Sequence, residues 1–111
     1  MQSTKDILQD VYIGLQSIFG VKMRTAILYG SYARGDYDAE SDVDVAAIID
    51  MTRQELKSYH QQIVQLMADV FWKHEKLVSI VEIPLDEYNV HQETLPFYRN
   101  ISREGVLLHV G

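Results

Sequence analysis

The residues with the clearest chemical potential lie in the segment GSYARGDYDAESDVD, which runs from Gly30 to Asp44. Gly30 and Ser31 directly follow a short apolar run, and a glycine at such a point lets the chain turn tightly and lets a ligand approach the backbone. A serine that presents its N–H and hydroxyl at this turn, near the start of a helix, can hold phosphate oxygens. The alternative interpretation is a plain strand-to-helix turn in which Ser31 caps the helix.

Asp42 and Asp44 form a second chemical feature, an Asp-x-Asp motif at the start of the apolar run VDVAAII. Residues two apart on a strand point to one face, with Cα atoms about 6.5–7 Å apart. Two carboxylates on one face of an apolar strand are unfavourable unless a positive group meets them. Mg²⁺ prefers hard oxygen ligands and usually binds one or two carboxylates together with substrate phosphates. The pair therefore predicts a magnesium and phosphate site, with a solvated loop end as the alternative.

Arg34 follows the glycine turn, where its guanidinium could bind a phosphate or pair with the acidic loop of residues 36–42. Two other motifs fail on spacing. An EF-hand calcium loop that begins at Asp36 would need glycine in place of Ser41 and glutamate in place of Ala47, and the Walker A pattern would need lysine in place of Asp36. The four histidines show no spacing typical of metal ligands.

Apolar periodicity predicts the elements that must position these groups. Short apolar runs predict three buried strands, at residues 25–29, 43–49 and 77–83. Helical spacing predicts a first helix over residues 7–19, capped by Ser3 or Thr4 and ended by Gly20, and a long helix from the capping box at residues 52–55 to residue 71. The end of the chain is predicted to form two short helices and an extended segment, at residues 85–90, 96–103 and 106–110.

This order of elements predicts an α/β (α+β) fold, in which a small mixed sheet of three or more strands packs with helices. The apolar stripes of the two longer helices are expected in the core, as are five aromatic residues: Tyr12, Tyr59, Trp72, Phe97 and Tyr98. So short a chain buries its surface incompletely, which favours a partner or a homo-oligomer. The candidate exposed apolar residues lie in the tail, around Phe97, Tyr98, Val106 and Leu107.

Composition limits the class of protein. The 111 residues, with 47% hydrophobic and 23% charged residues, predict a single domain over residues 1–111. A net charge of −6 argues against an extended nucleic-acid surface, though not against a nucleotide bridged by metal ions. The sequence contains no apolar stretch that predicts a membrane span or a signal peptide. The absence of cysteine excludes disulfides and fits a cytoplasmic location.

The spacing of the two motifs resembles a known signature. Gly30-Ser31, then ten residues, then Asp42-Val43-Asp44 resembles the signature of the DNA polymerase β-like nucleotidyltransferase superfamily. More closely, the string GSYARGDYDAESDVDV and the tail LPFYRNISREGVLLH resemble the minimal nucleotidyltransferase family. The resemblance implies the nucleotidyltransferase fold. It also implies that the two aspartates are catalytic and hold Mg²⁺, that Gly30 and Ser31 contact the terminal phosphates of ATP, and that Arg34 neutralises charge on the triphosphate.

The resemblance also implies a function and a partner. Minimal nucleotidyltransferases are often the antitoxin of a toxin–antitoxin pair whose toxin is a HEPN-domain ribonuclease. The implied reaction transfers AMP from ATP to a hydroxyl of that toxin, a tyrosine, and so neutralises it. One alternative is a weak or inactive binding module that neutralises its partner by occlusion. Another is transfer to a small molecule, as in aminoglycoside-modifying relatives, which need additional surface for the acceptor.

One position departs from the family pattern. Family members commonly carry a third carboxylate on the next strand, and the alignment of LVSIV places Ser79 there. Glu82 is a possible but weak substitute, because its odd spacing from Ser79 turns it to the other face of the strand unless the strand bulges. The sequence therefore leaves the source of a third acid open.

Overall fold

The computed structural model describes residues 4–108, and its elements surround one four-stranded sheet. The strands are β1 Met23–Tyr29, β2 Val43–Ile49, β3 Val78–Pro84 and β4 Val106–Leu107. They lie in the order β3-β2-β1-β4, with β1 antiparallel to β2 and β4, and with β2 parallel to β3. The predicted mixed sheet packed with helices is confirmed.

Six α-helices and one turn of 3₁₀ helix connect the strands of the described part of the chain. The helices are α1 Thr4–Phe19, α2 Ser31–Arg34, α3 Arg53–Lys57, α4 His60–His74, α5 Leu85–His91 and α6 Pro96–Glu104, and the 3₁₀ turn is Gly20–Lys22. None of the helices within residues 4–108 is both long and apolar enough to cross a membrane.

The sheet separates two layers of helices. Side chains alternate between the two faces of a strand, so Val43, Val45 and Ala47 of β2 join the larger core with α1 and α4. Ala46 and Ile48 join a smaller core, which includes residues of β1, β3 and the α5–α6 segment. Asp44 and Ala46 are two residues apart on β2, so their side chains point to the same face of the sheet. Asp44 therefore lies on the face that α5 and α6 cover in part.

Most element boundaries follow the sequence prediction. Strand β2 spans the predicted residues, and the two predicted short helices are α5 and α6. Strand β1 begins two residues earlier than predicted, at Met23, and β3 includes Pro84 as its last residue. A proline is tolerated at that place because β3 is an edge strand of the sheet. The predicted cap Ser3 and residues 109–110 lie outside the described residues.

The prediction of one long helix after β2 is wrong, since the segment forms α3 and α4. The capping box at Thr52 and Glu55 is present and begins α3. Three residues later the Ser58 hydroxyl donates a hydrogen bond to the Glu55 carbonyl, at 2.9 Å. Such side chain-to-backbone bonds compete with the helical pattern. The chain bends here, and the ring of Tyr59 packs on Phe19 with ring centroids 5.1 Å apart.

The prediction that all large apolar residues of α4 are core is also wrong. Phe71 is 39% exposed and Trp72 is 79% exposed. The buried residues of α4 are Ile63, Val70 and His74, and each residue turns a helix by about 100°. Trp72 therefore points about 200° away from Val70, out of the core. Phe97, at the start of α6, is 43% exposed and likewise departs from the core prediction.

A carboxylate connects α1 to the end of α4. Asp10 Oδ2 lies 2.7 Å from His74 Nε2 and 2.9 Å from Lys73 Nζ. The His74 side chain is almost fully buried, whereas the Asp10 side chain is 30% exposed, so the contact between them is partly buried. The Lys73 and His74 hydrogen bonds hold the pKa of Asp10 below its usual range. The ionised form of Asp10 is therefore the one that stabilises the contact between the helices.

We expect Asp10→Ala to lower the free energy of unfolding by about 1–2 kcal/mol at neutral pH, because two hydrogen bonds to a charged group are lost. Because the folded-state pKa of Asp10 is depressed, its contribution is present above the unfolded pKa and disappears as the pH falls through the folded pKa. Urea unfolding between pH 7 and pH 2.5 should show the difference between the two proteins shrinking at acid pH. Asp69→Ala, which removes a surface carboxylate bonded to Gln65 on α4, is the control. An equal loss in both variants would contradict the assignment.

Candidate active site

The turn after β1 brings the backbone close to a carboxylate. Gly30 has φ +75°, a conformation that favours glycine, and its carbonyl accepts hydrogen bonds from the N–H groups of Ala33 and Arg34, both at 3.1 Å. A Cβ added at Gly30 would lie 2.6 Å from Asp44 Oδ2. Ser31 begins α2, so its N–H belongs to a helix N-terminus, where such groups have no intrahelical acceptor. The structure therefore brings the Gly-Ser turn and the second aspartate together.

The two aspartates lie at the start of β2 and influence each other. Asp44 is partly buried and Asp42 is exposed. Burial raises the pKa of the Asp44 carboxyl, the negative charge of Asp42 raises it further, and the positive charge of Arg34 opposes the shift. Two like charges that meet at a partly desolvated position disfavour ionisation, and a cation bound between them would reverse that effect. This electrostatic environment suits a divalent metal ion.

The donor set decides what kind of metal site is possible. Within residues 4–108 there is no group of three or more His, Cys, Asp or Glu side chains that could hold a metal by itself. Two carboxylates can nevertheless bind a hard divalent cation when phosphate oxygens and water supply the remaining ligands. Asp42 and Asp44 therefore fit a metal that is held jointly with a bound triphosphate, and their carboxylates are the residues that would hold it.

Arg34 pairs with the acidic loop, which is one of the two interpretations that the sequence left open. Its Nε lies 3.2 Å from Asp36 Oδ2, and its guanidinium lies 3.9 Å from Glu104 Oε1. The side chain is 45% exposed, so these surface pairs are weak. The charge of Arg34 also lowers the pKa of Asp44. The guanidinium is thus within electrostatic reach of the acidic pair and can exchange its loop partner for a phosphate.

The structure does not bring Glu82 to the acidic pair. In the parallel register of β2 and β3, Asp44 lies opposite Ser79, whereas Glu82 lies opposite Ala47. The register is continuous, and Glu82 lines a cleft of about 420 Å³ with Arg53 and Leu56 on the other side of the sheet. The suggestion that Glu82 supplies a third carboxylate is therefore not supported by its position, and a serine hydroxyl stands beside Asp44.

Sequence reasoning missed Tyr29 as a neighbour of the acids. Tyr29 lies directly opposite Asp44 in the antiparallel register of β1 and β2. Partial burial raises the pKa of its hydroxyl, and the charge of Asp44 adds to the shift. Its position immediately before Gly30 at a strand end could have identified it. Asp44 is thus flanked by Tyr29 on one strand and by Ser79 on the other.

Sequence reasoning also missed the contacts that hold the acidic loop. The rings of Tyr32 and Tyr37 stack with centroids 4.0 Å apart and an angle of 8°. Lys76 Nζ lies 5.3 Å from the Tyr32 ring centroid and donates a hydrogen bond to the Ala39 carbonyl, at 3.3 Å. Asp38 accepts a hydrogen bond from the Glu40 N–H, at 2.9 Å. No local pattern reveals Lys76, because it approaches the loop from the turn between α4 and β3.

Comparison with known proteins shows the class to which this arrangement belongs. The family model described as "Polymerase beta, Nucleotidyltransferase" matches residues 15–110, which include every element that forms the candidate site. The protein is therefore a nucleotidyltransferase. In particular, the chain belongs to the minimal nucleotidyltransferases of the polymerase β family. That family generally uses a nucleoside triphosphate and a divalent metal ion.

Two curated relatives come from Methanocaldococcus jannaschii. The chain is 36% identical over 75 residues to "Putative protein adenylyltransferase MJ0141", and the matched segment covers 67% of this chain and 73% of the relative. It is 27% identical over 95 residues to "Putative protein adenylyltransferase MJ0604", and here the matched segment covers 86% of this chain and 87% of the relative. The names of both relatives describe transfer of an adenylyl group to a protein.

Two solved structures share the fold. The structure described as "Crystal structure of a putative nucleotidyltransferase from Sulfolobus solfataricus" matches with a TM-score of 0.58 and 14% identity, over 96% of this chain and 87% of that chain. A mutant of the toxin–antitoxin pair MntA-HpeT matches with a TM-score of 0.58 and 15% identity, over 93% of this chain and 73% of that chain. At these identities the likeness establishes the fold alone.

We expect Asp44→Asn to raise the melting temperature of the metal-free protein at pH 7 by about 2–5 °C. The folded-state pKa of Asp44 is raised, so its contribution to stability is present below the unfolded pKa and is lost as the pH rises through the folded pKa. Removing the charge relieves that loss. Thermal unfolding with and without MgCl₂ and ATP checks both parts, because the ligands should stabilise the unsubstituted protein much more than the variant. A lower melting temperature for metal-free Asp44→Asn would contradict the electrostatic account.

We expect Lys76→Met to weaken the binding of Mg²⁺ with ATP about three- to tenfold, because the loop that carries Asp42 loses a hydrogen bond and a cation–π contact. Lys76→Arg keeps a cation and donors at this place and should retain most of the affinity. Isothermal titration calorimetry measures the affinities, with Lys57→Met on α3 as the control for loss of a lysine charge. Equal affinities for Lys76→Met and the unsubstituted protein would show that the contact does not position the loop.

Proposed function

We propose that this chain transfers AMP from ATP to a tyrosine hydroxyl of a HEPN-domain toxin and thereby acts as an antitoxin, in a Mg²⁺-dependent reaction. The observation that carries the proposal is the convergence of the Gly-Ser turn on Asp44, at a distance that leaves no room for a Cβ at Gly30. The names of the two archaeal relatives support a protein as the acceptor. The toxin–antitoxin pair among the structures with this fold supports a toxin as the partner.

Each site residue has a role in this proposal. Asp42 and Asp44 hold Mg²⁺, which, when bound, neutralises charge on the triphosphate. Gly30 and Ser31 present the turn and the N-terminus of α2 to the terminal phosphates, where backbone N–H groups can bind oxygen. Arg34 approaches the same phosphates after leaving Asp36. The chemistry depends chiefly on positioning and charge neutralisation.

The transfer step is a simple displacement of pyrophosphate at the α-phosphorus of ATP. The acceptor oxygen forms a bond to the α-phosphorus of ATP, the bond between that phosphorus and the β-phosphate bridging oxygen breaks, and pyrophosphate leaves with the electron pair. The acceptor proton must go to a base. Since Ser79 rather than a carboxylate neighbours Asp44 on β3, that base comes from the acceptor protein or from water. The proposal places the reaction in the cytoplasm, where ATP is available.

A second candidate function is favoured by the same serine. With no third carboxylate beside Asp44, the chain could neutralise its partner by occlusion and without chemistry. The two functions differ in what happens when the acidic pair is removed. Under occlusion, a chain that lacks both carboxylates still protects cells from the toxin. Under transfer, the same chain fails to protect them.

We expect a HEPN-domain protein to be encoded beside this gene, and labelled AMP from [α-³²P]ATP to appear on it when the two purified proteins are mixed with MgCl₂. Asp42→Asn and Asp44→Asn should each reduce the rate at least a hundredfold, because a metal ligand contributes several kcal/mol to such a step. Glu40→Gln removes one charge from the same exposed loop and should leave the rate unchanged. Mass spectrometry of the labelled protein identifies the acceptor residue.

The outcomes separate the candidates. Label that is lost with either aspartate, together with toxicity that returns in cells that express the double variant, supports transfer. Absence of label, with full protection by the double variant, would reject transfer in favour of occlusion. Label on a residue other than tyrosine would overturn the proposed acceptor.

A further inference from the structure

An exposed apolar surface begins immediately beside the acidic pair. Tyr29, which lies opposite Asp44, makes an edge-on contact with the ring of Phe97, with centroids 5.5 Å apart and an angle of 85°. Phe97 is 43% exposed and Leu95 is 44% exposed, and the two residues flank Pro96 at the start of α6. We refer to Tyr29, Leu95 and Phe97 as the aromatic shelf.

Other aromatic residues pack against the aromatic shelf and hold it in place. Phe97 contacts Tyr98, with ring centroids 5.8 Å apart, and Tyr98 contacts Tyr88, at 6.1 Å. The Tyr98 hydroxyl also interacts with a two-point ion pair between Arg53 and Glu87, whose atoms are 2.8 and 3.1 Å apart. The exposed ring of Phe97 and the half-buried ring of Tyr29 therefore stand on a packed layer between α5, α6 and the sheet. Surfaces that are ordered before binding lose less entropy when a partner docks.

The composition of this surface differs from that of an ordinary solvated face. Aromatic residues and arginine are enriched where proteins bind one another, whereas exposed apolar residues that are merely incidental are usually scattered singly. Here two of the rings are in contact, and Arg34 lies on the same side of the sheet through its contact with Glu104 at the end of α6. The shelf is thus a contiguous apolar cluster at the start of α6, with a cation on the same side of the sheet near the other end of that helix.

We propose that the aromatic shelf is the docking surface for the protein acceptor, and that it binds apolar side chains next to the hydroxyl that receives AMP. This inference rests on the proposed function. Its physical basis is continuity, since Tyr29 lies directly opposite Asp44 and residues that flank a hydroxyl at the acids can extend over Tyr29. A protein segment of several residues can cover Tyr29, Phe97 and Leu95 together.

The nucleotide base is the competing occupant. Sites for small planar ligands are concave and enclose most of the ligand, whereas Leu95 and Phe97 are each more than two-fifths exposed at the start of a helix. A protein acceptor also explains why the apolar surface extends beyond Tyr29 to Leu95. The observations therefore favour the acceptor, and the base becomes an outcome of the test.

The test measures docking apart from chemistry. The probe is the HEPN-domain protein that the proposed function expects to be encoded beside this gene. Its affinity is measured by calorimetry without ATP, with Asp42→Asn present in every chain. We expect Leu95→Glu and Phe97→Glu each to weaken binding tenfold or more, because each places a charge in the apolar centre of the interface. Phe97→Leu keeps an apolar side chain and should remain within about threefold of the parent chain.

Trp72→Glu is the matched control. Trp72 is 79% exposed on α4, and α4 packs on the opposite face of the sheet, so the same charge there should change the affinity less than twofold. Melting temperatures show whether each variant is folded. Phe97→Glu also removes the ring contact with Tyr29 and could therefore disturb the neighbouring acids. Leu95 takes no part in that ring contact, so Leu95→Glu tests the apolar surface without this indirect effect.

Every outcome bears on the inference. Loss of affinity in the two shelf variants alone supports it. Equal effects in shelf and control variants, or no binding by the parent chain, would overturn it. Weaker binding of ATP with Mg²⁺, measured in chains that keep Asp42, together with unchanged binding of the HEPN-domain protein, would assign the shelf to the base instead. If the unsubstituted chain binds the HEPN-domain protein through the shelf but transfers no AMP, the proposed function fails while the docking surface stands.

Discussion

Two carboxylates held close together at the start of a rigid strand are the constraint on which the rest of the structure depends. The apolar residues of β2 are fully buried from Val43 to Ile49, so the strand cannot shift to relieve the repulsion between Asp42 and Asp44. Gly30 approaches Asp44 without a Cβ, and the positive charge of Arg34 opposes the rise in the Asp44 pKa. This local conflict is typical of a functional site, where stability is given up for chemistry.

The sheet separates the parts of the molecule that stabilise it from the parts that act. On one face, β1, β2 and β3 pack against α1 and α4, and the contacts of Asp10 with Lys73 and His74 join these two helices. On the other face, α5 and α6 cover only part of the sheet and leave Asp44 partly exposed. A small nucleotidyltransferase can thus keep one large core and still present its acids to a nucleotide and an acceptor.

The residue beside Asp44 on β3 is a serine, which limits the negative charge of the site. In the parallel register, Ser79 occupies the place next to Asp44 where another carboxylate could contribute to metal binding or proton removal. Its hydroxyl adds no negative charge, so the repulsion at the site stays limited to one pair. In the proposed reaction, removal of the acceptor proton is therefore left to the acceptor protein or to water.

The sequence by itself determined the strands, the Gly-Ser turn and the acidic pair, because each depends on neighbours in the chain. The continuous apolar run of β2 and the capping box of Thr52 and Glu55 are local signals of this kind. Only the tertiary structure decided that Glu82 faces away from the acids, that Lys76 holds the acidic loop, and that Tyr29 and Phe97 meet beside Asp44. Those relations join segments that are far apart in the chain, and the register of the strands and the packing of α6 set their distances.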